Sequence, residues 1–313
     1  MKAYGLENYG GPEVMHEVTL PEEHAGAGQV RIRVAAAGVN PADTQVRDGS
    51  LADFFRGMTP PYVPGMDVAG TVDDVGDGVE GISAGDAVVG LVANSGSYGG
   101  YSEYVVLPAA SVTAAPKGAG SAEAASWLMN ALTARCALDV LALQPGSTLL
   151  VTGAPGAFGG YVTQLAAAEG LRVLAVGRRS DAELLRGFGA DVILAAGDDL
   201  VERVRREVPD GVDGLADGAA LHGAVAPALG DGGRLATVRG WTGDPGPGRT
   251  VVPVNVRDRA EDHAAIERLR EQVEAGELAM RVARVLPAAE VVEAHRLLDA
   301  GGLRGRVVLD FEA

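Results

Sequence analysis

The hydrophobic pattern of the first 118 residues or so is typical of short β-strands. Apolar and polar residues alternate in residues 29–35, and β-rich runs follow at residues 67–73, 87–92 and 101–107. Glycine and proline residues punctuate these runs, which indicates frequent turns. Short strands at regular spacing predict a compact, partly closed β domain rather than a parallel sheet.

The pattern then changes to an alternation of apolar runs and amphipathic helices. The predicted elements are strand 147–152, helix 161–169, strand 171–176, strand 192–194, helix 199–208, strand 211–217, an alanine-rich helix from Leu221, strand 234–238, strand 251–254 and helix 259–275. Ser180 and Glu183 predict a capping box that begins a further helix before residue 192. Strands that alternate with helices predict a parallel, doubly wound α/β sheet.

A glycine-rich turn joins the first strand of this region to its first helix. Gly153, Gly156 and Gly159 recur at three-residue intervals, with Ala157 and Phe158 between the last two. Without Cβ atoms the backbone bends sharply and approaches a ligand closely. The amides and the positive dipole end of the first helical turn then point at a pyrophosphate. The turn predicts a dinucleotide site, and because its spacing departs from the strict fingerprint, a purely structural turn is the alternative.

Length, charge and cysteine content narrow the class of protein. The 313 residues correspond to about two domains. The 26 basic and 42 acidic side chains give a formal net charge of −16, which opposes nonspecific binding to nucleic acid or to an anionic membrane. The sequence shows no basic leader and no apolar run near ~18 residues, so we expect a cytoplasmic protein without a membrane span. The single cysteine, Cys136, excludes an internal disulfide.

Several ordered motifs resemble those of a known family. They are Gly10-Gly11-Pro12-Glu13-Val14, Gly38-Val39-Asn40-Pro41-Ala42-Asp43 with Arg47 and Gly49, Pro64-Gly65-Met66-Asp67-Val68-Ala69-Gly70, Gly85-Asp86 with Val88, Tyr98-Gly99-Gly100-Tyr101-Ser102-Glu103-Tyr104, Leu132-Thr133-Ala134 and Gly305-Arg306-Val307-Val308-Leu309. Together with the glycine turn, they resemble the zinc-independent quinone oxidoreductase (zeta-crystallin-like) branch of the medium-chain dehydrogenase/reductase superfamily. The resemblance covers essentially the whole chain.

The resemblance implies an α/β fold with two domains. A GroES-like catalytic domain is expected from residues 1–118 and 277–313, and a Rossmann domain that binds NADP from the inserted residues 119–276. A homodimer is a further expectation of the family. The β-rich start of the chain and the alternating region that follows agree with this division.

The residues after the second Rossmann strand favour NADPH over NADH. A carboxylate at this strand end would hold the ribose hydroxyls of an unphosphorylated cofactor, but the sequence there is Val176-Gly177-Arg178-Arg179-Ser180. The guanidinium groups of Arg178 and Arg179 suit a 2′-phosphate, and Ser180 is a third candidate contact. Asp181 is expected to face the helix dipole. The alternative is that both arginines are solvated loop charges.

The resemblance also assigns candidate catalytic and pocket residues. Asn40 is expected beside the nicotinamide, where its amide donates to a carbonyl or a ribose hydroxyl, and its alternative role is to satisfy a turn before a proline. Asp43 is expected to hold Arg47 or neighbouring amides, and Thr133 to contact the nicotinamide carboxamide. The other candidates are the pocket residues Gln45, Tyr62 and Trp127 and the cofactor contact Trp241, with core packing as the alternative for the three aromatic ones.

No metal site is expected from the residues. Where zinc-dependent relatives have a catalytic cysteine and a histidine, this chain has Asn40 and Met66, and its five histidines lack ligand spacing. Hydride transfer would then depend on positioning and on hydrogen-bond donors. Gln45 and Leu51 replace tyrosines of the family pattern, which leaves the proton donor unassigned.

The leading hypothesis is an NADPH-dependent reductase that transfers hydride, without zinc, to a small-molecule quinone or to the β carbon of an α,β-unsaturated carbonyl. Within this class, the alternative is a reductase of an enoyl thioester or of a biosynthetic intermediate. From another class, the alternative is a non-catalytic NADPH-binding sensor or structural protein.

Overall fold

The computed structural model describes residues 1–93, 98–238 and 240–313, which pack into two units. Unit 1 consists of Met1–Met129, Ala260–Glu274 and Met280–Ala313, and unit 2 of Asn130–Arg259 and Ala275–Ala279. Each unit therefore draws on segments that are far apart in the sequence. The functional domain limits expected at 118/119 and 276/277 stay a prediction.

The helices and strands follow the chain in this order. The strands are β1 Lys2–Gly5, β2 His16–Thr19, β3 Gln29–Val39, β4 Asp67–Val75, β5 Ala87–Leu91, β6 Tyr104–Pro108, β7 Val112–Ala114, β8 Thr148–Thr152, β9 Arg172–Val176, β10 Val192–Leu194, β11 Val212–Asp217, β12 Leu229–Thr237, β13 Thr250–Pro253, β14 Val282–Pro287 and β15 Arg306–Asp310. The α-helices are α1 Pro41–Asp48, α2 Ser121–Ala124, α3 Leu128–Leu141, α4 Ala157–Ala168, α5 Ala182–Gly187, α6 Leu200–Glu207, α7 His263–Glu274 and α8 Val291–Ala300. Across the described ranges, no helix has the length and apolar character that crossing a membrane requires.

Unit 1 is organised around the long strand β3. Its sheet has the strand order β14-β15-β3-β4-β5-β7, and β6 pairs with the N-terminal part of β3. All the pairs that β3 makes are antiparallel. Val30, Ile32 and Val34 alternate into the core, as the period of two in the sequence predicts. The predicted GroES-like β fold is confirmed.

Unit 2 contains a parallel sheet with the strand order β10-β9-β8-β11-β12-β13. Numbered from β8, this is the order 3-2-1-4-5-6 of a Rossmann sheet. Residues 149–152 of β8 are buried, as expected for a parallel strand covered on both faces. The strand order reverses between β8 and β11, and such sheets bind their ligand at the carboxyl ends of the strands at this point. The predicted doubly wound fold is confirmed.

The prediction of an alanine-rich helix from Leu221 is wrong. The chain forms two short 3₁₀ helices, His222–Ala224 and Ala226–Ala228. Ala220 and His222 both have φ of +54°, a left-handed conformation that a right-handed helix does not tolerate. Pro227 also supplies no backbone N–H for an α-helical hydrogen bond. Alanine content alone therefore predicted an α-helix where the chain forms short 3₁₀ helices.

The capping box predicted from Ser180 and Glu183 is also wrong. A 3₁₀ helix, Arg179–Asp181, precedes α5. The carboxylate that accepts a backbone N–H here is that of Asp181, which bonds to Arg178 over 2.9 Å. The side chain one residue after the predicted cap therefore stabilises the turn.

Candidate functional site

The glycine turn between β8 and α4 has a backbone that requires glycine. Gly153 has φ of +61°, in the region that favours glycine. Gly156 is extended and directly precedes the helix, which begins with residues 157–158. A Cβ at Gly159 would lie 2.5 Å from the carbonyl oxygen of Gly153, so α4 packs directly on the turn. The first amides of a helix have no acceptor within it, and a pyrophosphate therefore fits these residues.

A polar pair lies where the order of the parallel strands reverses. Thr152 and Asp217 end β8 and β11 and are register partners, and the threonine hydroxyl donates to the carboxylate over 2.6 Å. The same buried carboxylate accepts the backbone N–H groups of Leu221, at 3.1 Å, and His222, at 2.7 Å. Asp217 therefore holds the turn that follows β11.

Two arginines follow β9 at the position predicted for cofactor choice. Arg178, Arg179 and Ser180 are exposed, and across residues 1–93, 98–238 and 240–313 neither guanidinium group makes an ion pair. Asp181 is buried, and one of its carboxylate oxygens already accepts the N–H of Arg178. This strand end therefore presents positive charge to solvent, while the nearby carboxylate is engaged in the backbone.

A buried polar cluster in unit 1 contains two of the predicted catalytic residues. Asn40 precedes α1, and its backbone N–H donates to the Asp43 carboxylate over 2.7 Å. That carboxylate also accepts the N–H of Gly65, at 2.9 Å, and the hydroxyl of Tyr101, at 3.1 Å. The side-chain amide of Asn40 donates to Asp67 over 3.0 Å. One asparagine thus connects two buried carboxylates.

Burial changes the acidity of this cluster. It raises the pKa of Asp43 to about 6, although two backbone amides and the Tyr101 hydroxyl oppose the change. Burial also raises the pKa of Asp67, against the positive charge of Arg306 and the hydrogen bonds that the carboxyl accepts. The pKa of the Tyr101 phenol is raised by burial and by the neighbouring Asp43 carboxylate. These groups hold their protons more tightly than they would in water.

Asp43 adopts one of the two arrangements expected from the sequence, because its partners are amides and a phenol. Arg47 instead pairs with Asp299, at 3.0 Å, and donates to Nδ1 of His295 over 3.2 Å. The contact of Asn40 with a substrate or ribose stays a prediction. Asn40 is fully buried, and its side-chain amide donates to Asp67 and, over 3.4 Å, to the Gly38 carbonyl.

The remaining unit 1 candidates occupy different environments. Gln45 on α1 is half-buried, and Trp127 is fully buried. Tyr62 is half-buried, donates its hydroxyl to the Met58 carbonyl over 3.3 Å, and stacks on Tyr9 with 5.6 Å between ring centroids. The pocket roles of these residues stay predictions.

The two candidates in unit 2 differ in burial. Thr133 on α3 is 8% exposed. Trp241 is half-buried and stacks on the imidazole of His222, with ring centroids 5.4 Å apart and an angle of 16° between the planes. The predicted cofactor contacts of Thr133 and Trp241 stay predictions.

The sequence did not identify Asp217 or His222 as site residues. The local signal for Asp217 was a carboxylate at the end of a predicted strand, but its partner Thr152 is 65 residues away in the chain.

Met66 and Asn40, at the places where relatives bind zinc, are both buried. Among the residues that the structure describes, no three histidine, cysteine or acidic side chains are grouped to hold a metal ion.

Comparison with known proteins identifies both parts of the chain. Residues 26–117 match the alcohol dehydrogenase GroES-like domain, and residues 188–309 match the zinc-binding dehydrogenase family. The chain is 30% identical to the quinone oxidoreductase of Lama guanicoe over 99% of its own length and 97% of that protein. It is 29% identical to the 2-methylene-furan-3-one reductase of Solanum lycopersicum over 99% of its own length and 79% of that protein.

Two solved structures are similar over nearly their whole length. A mycobacterial protein complexed with NADPH is 30% identical, with a TM-score of 0.86 over 99% of this chain and 100% of that one. An NAD-dependent alcohol dehydrogenase is also 30% identical, with a TM-score of 0.84 over 99% of both chains. Similarity at this level does not choose between the two cofactors, so the choice depends on the residues of this chain.

Proposed function

Because this chain belongs to the quinone oxidoreductase family of the medium-chain dehydrogenase/reductase superfamily, we propose that it is an NADPH-dependent, zinc-independent reductase of quinones or α,β-unsaturated carbonyl compounds. The family consists of oxidoreductases that use a nicotinamide cofactor. One observation carries the finer proposal: the glycine turn precedes α4, while exposed Arg178 and Arg179 follow the neighbouring strand β9.

The choice of NADPH follows from the charges at the end of β9. The amides of the glycine turn bind the pyrophosphate, and the exposed guanidinium groups of Arg178 and Arg179 pair with the 2′-phosphate. Asp181 does not compete for ribose hydroxyls, because it is buried and accepts the N–H of Arg178. When bound, NADPH supplies the hydride.

The polar cluster of unit 1 orders the residues proposed to meet the substrate. The Asp43 carboxylate accepts hydrogen bonds on both oxygens, and Asp67 accepts the Asn40 amide and the N–H of Met129, at 2.7 Å. Because these carboxylates are engaged with N–H and O–H donors, they act here as acceptors that fix the backbone around Asn40 rather than as metal ligands. This arrangement supports the zinc-independent proposal.

The acceptor class is proposed from the relatives, whose names include quinone oxidoreductase and 2-methylene-furan-3-one reductase. In this proposal Asn40 orients the acceptor, Thr133 contacts the nicotinamide carboxamide, and Gln45, Tyr62 and Trp127 line the pocket. A homodimer is proposed on the same family basis.

Two measurements test the proposed function. Calorimetry with NADPH and NADH is expected to show tighter binding of NADPH, and absence of binding by either would contradict the whole account.

NADPH oxidation is then followed with a quinone, an enone and an enoyl thioester side by side, with and without a zinc chelator. We expect turnover of the quinone or the enone that the chelator leaves unchanged. Turnover of the thioester alone would favour the alternative reductase, and binding without any turnover would favour a sensor.

A further inference from the structure

The turn that follows β11 holds a backbone conformation that needs support from its surroundings. Ala220 and His222 both have φ of +54°, which residues with a Cβ rarely adopt. The Asp217 carboxylate supports the turn, because it accepts the N–H groups of Leu221 and His222. The surroundings therefore impose the position of His222.

Thr152 completes this support from the neighbouring strand. Its hydroxyl donates to Asp217 over 2.6 Å and accepts the N–H of Ala219 over 3.1 Å. The hydroxyl thus connects the end of β8, directly before the glycine turn, to the Asp217 carboxylate and to the backbone of Ala219. A change in Asp217 would loosen the connection between this turn and the end of β8, directly before the glycine turn.

The supported turn packs directly on the glycine turn. A Cβ at Gly153 would lie 3.0 Å from the carbonyl carbon of Gly218 and 3.1 Å from the nitrogen of Ala219. A Cβ at Gly218 would lie 2.8 Å from the Thr152 carbonyl oxygen and 3.0 Å from the ring of Phe158. No side chain fits between the two turns, so residues 218–222 lie beside the proposed pyrophosphate site.

The imidazole of His222 presents one edge inward and leaves part of its ring exposed. Nδ1 is buried, lies 3.5 Å from an Asp217 oxygen, and has no hydrogen-bond partner among the residues described. The side chain is 32% exposed, and one ring face stacks on Trp241. The Trp241 backbone is held in turn, because its carbonyl accepts the hydroxyl of Thr237 over 3.1 Å. The ring is therefore oriented by its neighbours.

We propose that His222 contacts the bound dinucleotide through its outward nitrogen, Nε2, and that Asp217 is the residue that positions it. This inference rests on the proposed function, because it adds a contact to the same cofactor site. An imidazole nitrogen hydrogen-bonds a ribose hydroxyl or a phosphate oxygen. The indole face orients the ring and the buried carboxylate holds the His222 backbone, so little side-chain freedom is lost on binding.

The contact is tested by calorimetry of NADPH with His222→Ala and His222→Phe. The phenyl ring keeps the stack on Trp241 and removes both nitrogens. We expect NADPH affinity to fall about 10-fold or more in both variants, as for the loss of one hydrogen bond to a charged group. His24→Ala, which removes a histidine that is 72% exposed in unit 1, is expected to bind like the unmodified protein. Full affinity in either His222 variant would overturn the inference.

The positioning role is tested with two matched aspartates on β11. Asp217→Asn weakens the support at the carboxyl end of the strand. Asp213→Asn changes an aspartate that bonds to Thr148 over 2.7 Å at the amino end of the same strand pair. We expect both to lower the urea midpoint but only Asp217→Asn to weaken NADPH binding about 10-fold or more. Equal NADPH affinities in the two variants would overturn the positioning role.

Trp241 fluorescence provides a readout that does not depend on the cofactor. Trp127→Phe leaves Trp241 as the remaining tryptophan. In that background, Asp217→Asn is expected to change the Trp241 emission because the stacked imidazole moves, whereas Asp213→Asn is expected to leave it unchanged. Unchanged emission in the Asp217 variant would contradict the positioning role.

Binding by the unmodified protein distinguishes a failure of the proposed function from a failure of the His222 contact. If the unmodified protein bound neither NADPH nor NADH, the proposed function and this inference would both fall. If the unmodified protein bound NADPH and the His222 variants bound it equally well, only this inference would fall.

Discussion

The buried carboxylate of Asp43 shows how hydrogen bonding and desolvation oppose each other at one side chain. Its oxygens accept two backbone N–H groups and one phenol hydroxyl, which favours the ionised form. Burial opposes ionisation and raises the pKa of Asp43 to about 6. The geometry around Asn40 and Gly65 therefore depends on a carboxylate that is costly to ionise in this environment.

Asp43→Asn is expected to lower the free energy of unfolding by about 1–3 kcal/mol. One carboxylate oxygen becomes an NH₂ group, which then faces a backbone or phenol donor. Urea unfolding at pH 7 measures the loss. Asp53→Asn, which changes an exposed aspartate of unit 1, is the control and is expected to have little effect. An unchanged midpoint for the Asp43 variant would show that these hydrogen bonds do not stabilise the fold.

The stability difference between the unmodified protein and Asp43→Asn is expected to depend on pH. The folded-state pKa of Asp43 is raised from 3.8 to about 6, so the folded chain binds this proton more tightly than the unfolded chain. The resulting stabilisation is fully present below about pH 3.8 and is lost as the pH rises through about 6. Unfolding in urea from pH 4 to pH 7 is expected to show the unmodified protein losing stability relative to Asp43→Asn. A constant difference between the two proteins would refute this dependence.

In the proposed function, the preference for NADPH depends on Arg178 and Arg179 at the end of β9. Arg178→Glu combined with Arg179→Glu is expected to weaken NADPH binding by at least about 10-fold more than NADH binding, because each charge-assisted hydrogen bond contributes ~1.5–3 kcal/mol. Arg186→Glu, which reverses an exposed charge on α5, is the matched control and should affect both cofactors little. Calorimetry measures all four affinities. Equal losses of both cofactors in the double variant would remove the assignment.

The helix α4 and the turn before it act as one packed element. Gly159 lies in the first turn of α4, and a Cβ there would lie 2.5 Å from a backbone oxygen of the turn. The contact is with backbone, so no side-chain rotation can relieve it. Glycine is needed here because the helix would otherwise move away from the turn and carry its N-terminal amides with it.

Gly159→Ala is expected to destabilise the protein by about 1–3 kcal/mol through overpacking and to weaken NADPH binding. Gly187→Ala is the matched control, because Gly187 lies in helix α5 and a Cβ there would meet no atom within 4 Å. That change should raise the free energy of unfolding by about 0.4–1 kcal/mol. Thermal unfolding and calorimetry measure both effects. Equal stability of the two variants would contradict the packing argument.

The stability of the entire chain depends on ionisable groups within its cores. His295 on α8 has an exposed fraction of zero, and its Nδ1 accepts a hydrogen bond from Arg47. Burial, and then the charge of Arg47, lowers the pKa of His295 from 6.5 to about 3. Burial and the neighbouring charge of Arg47 therefore disfavour protonation of His295 in the folded chain.

Acid is expected to destabilise the protein partly through His295. Its pKa is lower in the folded chain than in the unfolded chain, so its stabilisation is fully present above about pH 6.5 and is lost as the pH falls toward 3. His295→Phe keeps a ring near Tyr101, with which the imidazole makes an edge contact at 5.9 Å. Urea unfolding at pH 7 and pH 4.5 should show that the free energy of unfolding falls less in the variant than in the unmodified protein. His16→Phe, at an exposed histidine, serves as the control. Identical acid losses in His295→Phe and the unmodified protein would contradict this role.

The fold class, the strand and helix periods and the glycine turn could be predicted from the order of the amino acids. These features are local, because the alternation of side chains and the absence of a Cβ act within a few residues. The bend at Gly153 and strands such as β3 and β8 therefore follow from neighbouring residues, whereas β7, β14 and β15 were not predicted as strands. Where the local signal was ambiguous, as in the alanine-rich segment after Leu221, the prediction was wrong.

Which distant side chains meet could not be predicted from the sequence, because the three-dimensional fold sets these contacts. The Asn40 amide reaches Asp67 across 27 positions, Thr152 reaches Asp217 across 65, and Arg47 reaches His295 across 248. Sheet register or core packing sets each of these pairings, and composition carries no information about either. The strained turn at His222 combines both levels, because Asp217 holds it from five positions earlier, and Thr152, 65 positions away from Asp217, holds that carboxylate.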